Sequence, residues 1–190
     1  MKEPILESLL RKLRIKQVLP YVSKYKNANM LDIGCGWEAK LLKNLEPYIL
    51  KGTGIDFKTA AINSKKIKTI TSVIGKKLPF KNNTFDFITL LAVLEHLDYP
   101  TEILNECARV LRPGGSILIT VPSWYAKPVL EFLAYKLKIV SADEIMDHKR
   151  YYNRDDLFNL FKKIKGLKIE EHKYFQWKFN NRLYVISTKK

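Results

Sequence analysis

Along the chain the spacing of apolar residues changes period repeatedly. Ile5, Leu6, Leu9, Leu10, Leu13 and Val18 recur at helical intervals and predict a helix over 4–19, with Pro4 in its first turn. Met30, Leu31 and Ile33 form an apolar run that ends on Gly34-Cys35-Gly36. Ala39, Leu41, Leu42 and Leu45 then return to helical spacing. The pattern predicts a buried strand over 29–34, a tight turn and a helix over 38–46. A second strand is expected over 51–56, a short helix over 58–65, and a third strand over 67–74 whose alternation suits a sheet edge. Residues 85–91 are strongly apolar, as a central parallel strand is. A helix over 100–111 stops before Pro113-Gly114-Gly115, and a fifth strand is expected over 116–121. Strands alternating with helices give a doubly wound α/β fold with a parallel sheet.

The rhythm breaks at 122–150. Pro122, Trp124, Tyr125 and Pro128 open this stretch, and Val129, Leu130, Phe132, Leu133 and Leu137 make an apolar helical face flanked by lysines. It leaves the carboxyl end of the fifth strand, the edge where open α/β sheets bind ligands. We expect either a lid over an apolar acceptor or plain cover for the core. Beyond it, Asn153 caps a helix over 153–165 and Gly166 ends it. Two strands, 167–177 and 183–188, joined by a turn at Asn180–Asn181, are expected to close the sheet as an antiparallel hairpin. The whole chain, 1–190, reads as a single domain.

Candidate chemistry gathers at the glycine turn. Gly34 and Gly36 let backbone approach a ligand closely. Twenty positions past Gly36, Asp56 closes the second apolar run, the place of an acid that takes ribose hydroxyls. Gly34 to Ala39 fits G-x-G-x-x-A, which leaves a dinucleotide open. Asp32, two residues before Gly34, would repel a pyrophosphate and attract a ligand carrying an ammonium and a sulfonium. That charge logic favours S-adenosylmethionine (SAM) over NAD.

Together with this turn, GIDF (54–57), LPF (78–80), NTFDFI (83–88), LEHL (94–97) and RVLRPGG (109–115) make the chain resemble the class I SAM-dependent methyltransferases, in the small-molecule or quinone-type subgroup. The resemblance spans roughly 28–122. It implies a Rossmann-like, mostly parallel seven-stranded sheet whose last strand is antiparallel. It implies that Asp32, Gly34, Cys35 and Gly36 flank the methionine end, that Asp56 takes the ribose, and that Phe57 packs on adenine. Gly75, Leu78 and Leu91 complete the expected cofactor side. Trp37 and Glu38 stand where the family usually has a third glycine. The acid that usually precedes LPF is missing, since Ile74-Gly75-Lys76-Lys77 stands there. His96 and His148 are candidate proton acceptors.

Charge adds one alternative. The chain has 34 basic and 19 acidic residues, net +15, so an anionic partner such as RNA or a membrane surface is weighed. Lys outnumbers Arg about four to one and the basic residues are spread along the chain, which favours general basicity. No apolar run approaches the roughly 20 residues of a membrane span, and a cytoplasmic location is expected. Cys35 and Cys107 predict neither a disulfide framework nor a metal site, and the histidines at 96, 148 and 172 are too dispersed in sequence to suggest a zinc cluster. The Asn/Asp-Pro-Pro-aromatic motif of adenine amino methylation is replaced by Leu90-Leu91-Ala92-Val93. The readings carried forward are a SAM-dependent methyltransferase acting on a small, apolar or membrane-borne molecule, an RNA methyltransferase, and a non-catalytic SAM-binding module.

Overall fold

A computed structural model of the chain describes residues 5–25, 27–137 and 145–189. Seven strands make one sheet: β1 (Ala28–Ile33), β2 (Ile49–Asp56), β3 (Ile67–Thr71), β4 (Phe85–Leu91), β5 (Leu111–Pro122), β6 (Leu167–Phe175) and β7 (Asn180–Ser187). Their order is β3-β2-β1-β4-β5-β7-β6. β1 through β5 are mutually parallel, and β7 runs antiparallel to both β5 and β6. The strand order reverses between β1 and β4, so the carboxyl ends of these two strands frame the crevice where such sheets take ligands.

Helices cover both faces. On one side lie α1 (Ile5–Val22) and α2 (Lys40–Leu45), burying Val18, Tyr21, Val22, Leu42 and Leu45 against Met30, Phe87 and Leu118 of the sheet. The end of α1 is thus a packed helix, as its apolar spacing predicts. Tyr21 fastens it by donating a hydrogen bond to Glu171 of β6 at 2.7 Å. On the other side, α3 (Pro100–Val110) and α5 (Arg154–Phe161) bury Ile103, Leu104, Cys107, Leu157 and Phe161 against Leu31, Ile33, Ile88 and Leu90. Between β5 and α5 runs α4 (Ala126–Tyr135), in the stretch expected as a lid. Part of that stretch, 138–144, lies outside the described residues, as do the side chains of 5–12 and 14. No described helix is long and apolar enough to cross a membrane.

Three sequence expectations need correction. Residues 58–65 form no helix. Thr69 and Thr71 of β3 capture that segment's backbone, with Thr69 Oγ1 donating to the Ala60 carbonyl at 2.6 Å and Thr71 Oγ1 to the Thr59 carbonyl at 3.2 Å. Side chains that bond nearby backbone compete with helix in this way. β3 also stops at Thr71, earlier than expected, although it does lie at the sheet edge. The closing hairpin turns at 176–179, where Gln176, Trp177 and Lys178 all have positive φ. Asn180 and Asn181 are already in β7. Asn181 is fully buried, its amide donating to the Tyr152 carbonyl and its oxygen meeting His172 Nε2 at 2.9 Å.

Candidate functional site: a cofactor cradle and an acceptor cavity

Asp32 stands at the end of β1, directly opposite Thr89 of β4 in the strand register. Its carboxylate is buried, and Thr89 Oγ1 donates to Oδ1 at 2.6 Å. Burial pushes its pKa up to about 7. The Thr89 hydroxyl works against this and the charge of Asp56 adds to it. A buried carboxylate of this kind gains most from a cation.

The turn that follows is built by its two glycines. Gly34 has φ +75°, and its N–H donates to the Ile55 carbonyl of β2 at 2.8 Å. A Cβ on Gly34 would come within 2.3 Å of Val93, so the turn packs directly on the loop after β4. Gly36, at φ +68°, faces open space. Its N–H donates to Asp56 Oδ2 at 2.9 Å, and the Lys58 N–H donates to Oδ1 at 2.9 Å. Asp56, at the end of β2, therefore braces the turn with one oxygen and its own loop with the other. Each oxygen keeps a second lone-pair direction for a ligand hydroxyl.

Around this cradle, Phe57 is 69% exposed and offers an aromatic face. Cys35 is buried inside the turn, and burial, chiefly, pushes its thiol up to about 12. In place of a third glycine, Trp37 is exposed and Glu38 pairs with Lys40 at 2.8 Å. The left-handed conformation falls instead on Ala39, at φ +47°. Leu91 ends β4 beside the cradle. Gly75 lies on the loop after β3, its N–H returned to the Val73 carbonyl at 3.1 Å.

Leu78 has a structural job. Its side chain is in the core, its N–H donates to Glu106 at 2.8 Å, and its carbonyl accepts from Arg109 at 3.1 Å. Arg109 also holds the Phe80 carbonyl at 2.7 Å, so the Glu106–Arg109 pair on α3 secures the loop carrying Leu78.

Past the end of β5, between α4, residues 145–152 and the start of α5, lies a cavity of about 640 Å³. Trp124, Lys127, Tyr135, His148, Arg150 and Tyr151 line it. The two candidate histidines, distant in sequence, meet at its border with ring centroids 4.8 Å apart. His96 Nδ1 lies 2.9 Å from Asp147 Oδ2, and His148 Nδ1 lies 3.1 Å from the Tyr151 hydroxyl. Burial, with the charge of His96, pulls His148 down to about 4, so it is neutral at pH 7. Glu95 is buried beside the pair. One donor atom each from Glu95, His96 and His148 lies within 4.8 Å of the others. Sequence reading did not single out Asp147, Glu95 or Thr89. Thr89 alone had a signal there, as a polar residue within an apolar central strand.

Comparison with known proteins agrees with this geometry. Residues 31–119 match a family described as a methyltransferase domain. A demethylmenaquinone methyltransferase from Lactiplantibacillus plantarum is 28% identical over 129 residues, covering 61% of this chain and 54% of that protein. A ubiquinone biosynthesis O-methyltransferase from Vibrio cholerae is 23% identical over 159 residues, covering 78% and 64%. The chain thus spans between about half and two thirds of the length of these relatives. A SAM-dependent methyltransferase from Aquifex aeolicus has the same fold, with a TM-score of 0.66 at 18% identity over 92% of this chain and 89% of that one. Through residues 31–119 and its strand order, the chain is thus similar to methyltransferase domains and shares the fold of the SAM-dependent methyltransferases.

Proposed function

We propose that the protein binds SAM at the Asp32–Asp56 cradle and transfers its methyl group to a small molecule held in the neighbouring cavity. The observation that carries this is the pairing of two buried acids on the ends of adjacent strands, one on each side of the glycine turn. The residues fit the cofactor. Asp32 answers the ammonium, Asp56 has lone pairs for the ribose diol, Gly36 leaves open space, and Phe57 offers a face for adenine. A pyrophosphate would meet Asp32 instead, which disfavours a dinucleotide.

SAM supplies an already activated methyl, so the protein's work is to orient the acceptor and exclude water. Trp124, Tyr135 and Tyr151 would hold an apolar or aromatic body, with α4 and the 122–150 stretch as the lid. The proton of a hydroxyl or amine acceptor would leave at the His96–His148 corner, the polar end of the cavity. Relatives named for demethylmenaquinone and ubiquinone biosynthesis favour an apolar, quinone-like acceptor. RNA is the second reading, favoured by the net charge of +15.

Calorimetric titration with SAM, its demethylated product and NADH, on wild type and on Asp32→Asn/Asp56→Asn, tests the cofactor. SAM or its product should bind wild type and fail with the variant. No binding to wild type would refute the assignment, and heat from NADH alone would point to an oxidoreductase. Labelled methyl from SAM should enter a crude lipid extract and not total RNA. Transfer to RNA alone would exchange the two acceptor readings, and transfer to neither by a SAM-binding protein would leave the binding module.

A further inference from the structure

We propose that Glu95, His96 and His148 bind a divalent transition-metal ion at the border of the acceptor cavity. Asp147 and Tyr151 would act as the outer partners that fix the two rings.

The geometry is that of a ligand set a short movement from closure. One donor atom from each residue lies within 4.8 Å of the others. Ligands bonded at about 2.0–2.2 Å to a tetrahedral ion stand roughly 3.3 Å apart, so side-chain adjustments alone close the set. Each ring has its Nδ1 engaged, His96 by the Asp147 carboxylate and His148 by the Tyr151 hydroxyl. Nε2 is therefore the nitrogen left for a metal in both. A carboxylate or hydroxyl on the far nitrogen is the arrangement that orients metal-bound imidazoles.

The two loops that carry the donors are strapped together. The Lys149 N–H donates to the Glu95 carbonyl at 3.0 Å, Lys149 Nζ pairs with Asp98, and the Arg150 guanidinium holds the Leu97 carbonyl. These bonds keep 147–150 across 95–98 whether or not an ion is present. Glu95 is buried where it meets the two rings.

Two imidazoles and one carboxylate suit zinc, iron(II), cobalt(II) or manganese(II) better than magnesium or calcium, which prefer all-oxygen sets. Three protein ligands leave further positions open. His148 lines the cavity, so those positions face the acceptor space, and an acceptor oxygen bound there would lose its proton more readily. In that arrangement the histidines act through the metal rather than as direct proton acceptors.

The test needs no methyl transfer. Tag-free protein is stripped with a chelator, then titrated with CoCl2 by visible d–d absorption and with ZnCl2 by calorimetry. Far-UV circular dichroism and SAM titration run on the same samples. Wild type should take up one ion per chain. His148→Ala and Glu95→Gln should abolish uptake, Asp147→Ala should weaken it about 10- to 100-fold, and His172→Ala, on β6, should leave it unchanged. Should Glu95→Gln disturb the fold, His148→Ala decides. The proposal is overturned if folded wild type takes up no ion, or if His148→Ala binds as wild type does. SAM titration separates this from a failure of the cofactor reading, because metal uptake does not depend on it.

Discussion

If Asp32 holds the ammonium as proposed, pH should govern cofactor affinity, by an amount its surroundings set. Burial first, then the charge of Asp56, raises its pKa from 3.8 to about 7 against the opposing hydrogen bond from Thr89. The folded protein therefore holds a proton here that the unfolded chain releases near pH 4. Folding is favoured while the group is neutral, and that stability is lost as pH rises from about 4 to about 7. At about 1.36 kcal/mol per pH unit the full loss is roughly 4 kcal/mol. A ligand ammonium needs the ionised form, so SAM binding must expel the proton. At pH 5 only about 1% of the cofactor-free protein is ionised at this site, and affinity should be about 100-fold weaker than at pH 8, or about 2.7 kcal/mol. Calorimetric titrations from pH 5 to 8, in buffers of different ionisation enthalpy, read both the affinity and the proton released. Asp32→Asn should bind SAM weakly with no pH dependence across this range. Without cofactor, it should unfold at higher urea than wild type at pH 8. A wild-type affinity that stays flat between pH 5 and 8 refutes the reasoning.

The glycine turn and the thiols give two further expectations. Gly34→Ala places a methyl 2.3 Å from Val93 on a backbone with φ +75°, so urea denaturation should show a loss of at least about 1–2 kcal/mol. Val93→Ala added to it should restore only the steric part, and a Gly34→Ala variant as stable as wild type would contradict the packing. Cys35 and Cys107 are both buried, and burial raises both thiols. A thiol reagent at pH 8 should label neither in the folded protein and both in denaturant, and fast labelling of folded protein would show that the turn opens.

Much of the fold could be read from local pattern because strand and helix periods are local properties. β4 runs from Phe85 to Leu91 as its strongly apolar composition predicts, and Asn153 caps α5 through a reciprocal bond with Asp156. That Asp56 meets the turn of Asp32, Gly34 and Gly36 was legible for the same reason, since the three are neighbours and Asp56 sits one crossover away. What was hidden depends on contacts between distant residues. The helix expected over 58–65 lost to hydroxyls on β3, which no periodicity reveals. Leu78, in a motif that resemblance placed by the cofactor, is tied through its backbone to Glu106 and Arg109, 28 and 31 positions away. His96 and Asp147 are 51 positions apart, and only the path of the chain after β5 brings them together. The acceptor side is made of such meetings, which is why it was the less legible half.

The segment 59–64, which sequence pattern mistook for a helix, also settles how the sheet ends. β3 is an outermost strand, and the backbone groups of an outermost strand invite pairing with another molecule. Here the Thr69 N–H is taken by the Ile62 carbonyl, the Ile67 N–H by Ser64 Oγ, and the Ile67 carbonyl by the Ser64 N–H. The loop serves as a selvedge sewn from the chain itself, closing off the strand to intermolecular sheet growth. Thr69 stitches both sides of it, since its hydroxyl holds Ala60 while its amide holds Ile62. A single residue therefore pins this hem to the strand from both its side chain and its backbone.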